Sequence, residues 1–93
     1  MSSSSPSFAM SGACDLPRLS ALRTELLDFA RAHPGDALHL DLGAVEAGDV
    51  GLVQLLLSFH RSLLAEGRTL TMTLSGIVDD LFRRAGAPVP GAA

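Results

Sequence analysis

Ninety-three residues, 47% of them apolar, with a formal charge of −3, describe one small globular domain able to bury a single core. The seven cationic residues are arginines scattered from Arg18 to Arg84. That leaves no concentrated positive patch to displace counterions from phosphates, so nucleic acid is excluded as a partner. A lone cysteine, Cys14, excludes an internal disulfide and any cysteine-based zinc site.

The chain opens with a serine-rich tail over residues 1–7. Phe8, Met10 and Gly12 alternate with Ala9 and Ser11, which predicts a first strand. Gly12 marks a bulge or a tight turn in it, and Ala13-Cys14 is then a very short second strand. Ser11-Gly12-Ala13-Cys14 has the look of a lipoprotein cleavage site, but neither a basic start nor an apolar stretch precedes it. Pro17 suits the first turn of a helix whose apolar positions are Leu19, Leu22, Leu26 and Phe29 or Ala30. That helix stops before His33-Pro34-Gly35, because proline disfavours helical geometry in the residue ahead of it.

Leu38, Leu40 and Leu42 alternate with His39 and Asp41, the period of a half-buried strand. A loop of small residues around Val45 follows, and Asp49 is placed to cap a second helix from Val50 to Ala65. This helix carries two apolar stripes. One holds Leu52, Leu55, Leu56, Phe59 and Leu63; the other holds Val53, Leu57 and Leu64 around His60. Such breadth fits either a helix flanked by neighbours on both sides or a second stripe left open for a partner. Thr69, Thr71 and Thr73 alternate with Leu70, Met72 and Leu74 as another strand. Ser75 caps a last helix with Ile77, Val78, Leu81 and Phe82 on its buried face, and Gly86 ends it. Residues 88–93 form a second tail, leaving 8–87 as the domain.

The order β(β)αβαβα predicts an α/β fold with a mostly parallel four-stranded sheet and helices on one face. The other face carries His39, Asp41, Thr69, Thr71 and Thr73. Catalytic chemistry is sparse. His33, His39 and His60 lack metal-ligand spacing, and Asp79 and Asp80 point about 100° apart on their helix. Gly48-Asp49-Val50-Gly51 lacks the lysine and hydroxyl residue of a phosphate loop. We therefore expect no enzyme, no metal and no cofactor. The longest apolar run, Val50 to Phe59, is about half of the ~20 residues a membrane span needs, so a cytoplasmic location is expected.

The order of these pieces resembles a STAS domain, the module of bacterial anti-sigma factor antagonists, of chemotaxis-cluster proteins and of a soluble subunit of phospholipid-transport ABC systems. Gly12-Ala13-Cys14-Asp15 is similar to the family's glycine, any residue, aliphatic, Asp pattern. Asp41-Leu42, Val45 and Asp49 resemble its Asp-Leu, Val, Asp run, and Gly48 to Leu57 resembles the segment in which Asp-Ser/Thr-small-Gly-Leu opens the key helix. Aligned without gaps, Val50 takes the serine or threonine that partner kinases phosphorylate, and Leu52 takes the motif glycine. Shifting the frame by one residue matches Gly51 to that glycine and puts Asp49 on the phosphoacceptor. Neither frame supplies a hydroxyl.

The resemblance implies a non-enzymatic module that docks a protein through Gly48, Asp49, Val50, Gly51, Leu52, Val53, Leu56 and Leu57. The implied partners are a kinase-like anti-sigma factor, a chemosensory protein or an ABC-transporter ATPase. On this reading Val53→Glu or Leu57→Glu abolishes docking without unfolding the chain. The alternative is a small subunit that stabilises the ATPase of a phospholipid-transport complex. A ligand site on the exposed sheet face and a homodimer built on the leucine-rich helix are further possibilities.

Overall fold

Leucines at every second position from Leu38 make a central strand that is buried on one face only. The computed structural model describes residues 6–87 and 89, and builds around that strand β1 (Ser7–Cys14), α1 (Leu16–Ala32), β2 (Leu38–Gly48), α2 (Val50–Ala65), β3 (Leu70–Leu74) and α3 (Gly76–Ala85). The sheet order is β1-β2-β3 with both pairings parallel, so β2 lies in the middle. Parallel neighbours need crossovers, and α1 and α2 supply them. The helices contribute Leu22, Leu26, Leu52, Leu56, Phe59, Leu63, Val78 and Phe82 to one core with Met10, Leu38, Leu40, Leu42 and Leu70 of the strands.

Two expectations about the course of the strands are corrected first. Among the described residues the sheet has three strands, because Ala13 and Cys14 complete β1 instead of forming a second strand. Gly12 adopts φ 71°, a left-handed conformation that glycine reaches without a steric penalty, yet the chain runs on past it. Burial in β1 keeps its alternation throughout, with Met10 and Cys14 innermost.

The second correction concerns residues 43–48, expected as a loop, which continue β2 as far as Gly48. Ala9 faces Asp41 but Ser11 faces Ala44, and Gly12 faces Val45 but Ala13 faces Ala47. Each step leaves one extra residue in β2. A bulge of this kind breaks the period of two, so the buried residues after Leu42 resume at Val45, three positions on.

α2 packs against both α1 and α3, which covers most of its circumference. α3 is capped by Ser75, whose Oγ accepts the Val78 N–H at 3.3 Å, and it ends on Gly86 at φ 67°. Val78 and Phe82 carry its packing, whereas Ile77, expected on the buried face, is exposed. Asp79 pairs with Arg83 and Asp80 with Arg84, one turn apart.

The open sheet face is polar as expected. His39 lies between Thr71 and Thr73, with Nδ1 2.7 Å and Nε2 2.9 Å from their hydroxyls. At the amino end, Pro6 O accepts the His39 N–H at 2.9 Å, so pairing begins inside the stretch expected as a tail. Residues 1–5 lie outside the described residues, as do 88 and 90–93 of the second tail, while Val89 packs against the core.

Candidate docking site at the start of α2

The carboxyl ends of β1 and β2 finish side by side, Cys14 opposite Gly48. The next residue of each, Asp15 or Asp49, is the N-cap of a helix, and the first helical residues are Leu16 and Val50. Two helices thus start beside each other at one edge of the sheet, the end of a parallel α/β sheet where ligands usually bind.

The two caps differ. Asp49 Oδ1 accepts the Gly51 N–H at 2.9 Å, satisfying one of the free amides of the first turn. Asp15 makes no side-chain cap bond, and its carboxylate stays in solvent. Arg18 Nη1 instead reaches back from α1 to the carbonyls of Ser11 at 2.6 Å and Ala13 at 2.9 Å, tying the helix to the end of β1.

Gly51 and Gly48 are where the chain needs small residues. A Cβ on Gly51 would lie 2.7 Å from Leu19 Cδ1 and 3.7 Å from Leu16 Cδ2, so the glycine lets α2 approach α1 closely. A Cβ on Gly48 would meet Leu52 Cδ2 at 2.9 Å and Leu81 Cδ1 at 3.2 Å. Cys14, beneath this edge, is fully buried; burial pushes its thiol pKa up, the Arg18 charge pulls it down and Asp15 pushes it up, with a net rise.

The residues singled out from sequence divide into two groups. Leu52, Val53 and Leu56 are 0%, 2% and 0% exposed, so their side chains belong to the core and present nothing to a partner. α2 has neighbours on two sides, which buries Val53 of the second stripe, while Leu57 is half-buried and Leu64 exposed. Gly48, Asp49, Gly51 and Leu57 are half-buried, and Val50 is 59% exposed. Sequence reasoning missed Leu16, which is 69% exposed beside Gly51. Nothing in the pattern marks it, since its place beside Gly51 follows from the pairing of Cys14 with Gly48.

Elsewhere the features are structural. A cleft of about 490 Å³ lies between the far ends of α1 and α2, lined by Leu27, Arg31, Pro34, Ser62, Glu66 and Arg68 among others. Arg68, 5% exposed, donates there to the carbonyls of Ala30, His33 and Asp36 and to Glu66, leaving little for a ligand. Among the described residues no three of His, Cys, Asp and Glu converge as metal ligands would, and no helix is long and apolar enough to cross a membrane.

The strand, capped helix and parallel order are those of a known family. A family model described as Mlab, STAS domain, matches residues 1–87, and the chain belongs to the STAS family. No curated protein and no solved structure matches it significantly. STAS domains are in general non-catalytic modules that bind other proteins.

Proposed function

We propose that this STAS domain is a protein-docking module of the anti-sigma factor antagonist kind, engaging its partner at the start of α2 through Gly48, Asp49, Val50 and Gly51, with Leu16 beside them and Leu57 on the flank. The observation that carries this reading is the pair Leu16 and Val50, two large apolar side chains left in solvent at adjacent helix starts. Leu52, Val53 and Leu56 serve the site from inside, fixing α2 against the core. Where the family places its phosphoacceptor, this chain has Val50 or Asp49, so the usual hydroxyl is missing. A phosphate would add roughly −1.5 to −2 charge at this helix start, and a valine cannot take it. Docking here is therefore constitutive at this position, and control falls to abundance or to a second partner. The partner is a kinase-like anti-sigma factor or a chemosensory protein, met in the cytoplasm.

The test is a pull-down of the tagged chain from its own cells, set against a Val50→Glu variant whose fold has been checked by circular dichroism. Loss of a kinase-like or chemosensory protein with the variant supports the reading. A membrane ATPase among the lost proteins moves the assignment to a lipid-transport subunit. An unchanged set removes the start of α2 from consideration, and a dimer that dissociates in the variant makes it a self-association face.

A further inference from the structure

We infer that the partner surface fitting this edge is apolar and cationic: a hydrophobic side chain seated on Leu16 and Val50, with an arginine or lysine beside it reaching the carboxylates of Asp15 and Glu46. This rests on the docking site proposed above and adds the chemistry of its occupant. Glu46 is the extra residue of the second β2 bulge, exposed two positions before Gly48. Asp15 is exposed at the start of α1 and caps nothing. Among the described residues, neither carboxylate has an ion-pair partner, and neither has Asp49. Arg18, in the first turn of α1, has its Nη1 turned onto the carbonyls of β1. Asp15 and Asp49 thus directly precede the two apolar residues, Asp49 with one oxygen held by the Gly51 amide, and Glu46 lies exposed on the strand that leads to them.

That arrangement selects among occupants. Phosphate groups of a lipid or nucleic acid would meet like charge, and Pro17 removes one of the amides that α1 could have offered an anion. A second copy docking through the same patch about a two-fold axis would set these carboxylates against their own kind. A cationic side chain next to an apolar one meets both demands, and such complementarity chiefly sets association rate and specificity.

A phage-displayed random peptide library panned on the immobilised full chain tests this. The enriched sequences are expected to carry arginine or lysine next to a bulky apolar residue. Their binding should weaken about tenfold with the Asp15→Lys, Glu46→Lys double variant, and should weaken between about 50 and about 500 mM salt. Asp15→Asn with Glu46→Gln should give a smaller loss in the same direction. Neutral or acidic enriched peptides, indifference to the charge reversals, or no enrichment would each overturn the inference. Peptides lost on Val50→Glu but without basic character leave the docking site standing and remove only its cationic occupant. Peptides that bind Val50→Glu as well as the parent chain remove the site itself.

Discussion

Gly51 and Gly76 stand near the starts of two helices and have opposite surroundings. An alanine Cβ at Gly51 would press to 2.7 Å of Leu19 Cδ1 and 3.0 Å of Asp49 Oδ1, disturbing both the α1 contact and the cap. At Gly76 nothing lies within 4 Å, and its φ is not left-handed. Gly51→Ala is therefore expected to destabilise by about 1–3 kcal/mol through overpacking. Gly76→Ala should stabilise by about 0.4–1 kcal/mol by reducing the freedom of the unfolded chain. Urea unfolding midpoints of the two variants check the pair, and equal shifts would contradict the helix approach described. Cys14 gives a third residue-level expectation. Its folded pKa is raised by burial, so the stability it contributes is full below the unfolded thiol pKa and is lost as pH rises through the folded one. Alkaline titration of the melting temperature should show this loss, and Cys14→Ala should flatten it. A thiol reagent should label Cys14 only after unfolding.

At the level of elements, the same reasoning that located the helices also explains what it missed. α1, α2, α3 and the first half of β2 were legible because their apolar residues keep one period and their ends carry Pro17, Asp49, Ser75 and Gly86. The second half of β2 was not, because two bulges convert its period from two to three and its small residues imitate a loop. The sequence singles out the start of α2 as the candidate docking edge, but which of its side chains face outward depends on the flanking helices. Hence Val53→Glu, first expected to spare the fold, should abolish it by burying a charge, while Val50→Glu should leave the far-ultraviolet circular dichroism unchanged. The α1–β2 and α2–β3 connections have their own fastener in Arg68. Removing its side chain leaves the carbonyls of Ala30, His33 and Asp36 without it. Ala30 O and His33 O still accept the His33 and Asp36 amides, and Asp36 is exposed, so Arg68→Ala should cost about 1–3 kcal/mol, through the lost hydrogen bonds to a charged donor and not through orphaned carbonyls. Glu66→Gln should cost little, its carboxylate being largely exposed.

Across the whole molecule, β2 divides into a half that anchors the core and a half that leads to the proposed docking edge. Leu38 to Leu42 pair with β3, with Leu38, Leu40 and Leu42 facing the core, whereas Ala44 to Gly48 pair with β1 alone among the described residues. The part of the strand that delivers Asp49 and Val50 to the surface is thus held on one side only. Local opening follows the density of such pairing. Native-state hydrogen exchange should find its slowest amides in residues 38–42, with residues 44–48 opening at lower free energy. A bound partner resting on Leu16 and Val50 should slow residues 44–48 and the first turn of α2 more than it slows 38–42, because stabilisation by binding reaches the segments whose opening breaks the site. Uniform slowing across β2 would mean that the site opens only when the whole domain unfolds. No slowing at 44–48 would mean that the partner rests elsewhere, since these residues carry the backbone of the proposed docking edge directly into α2.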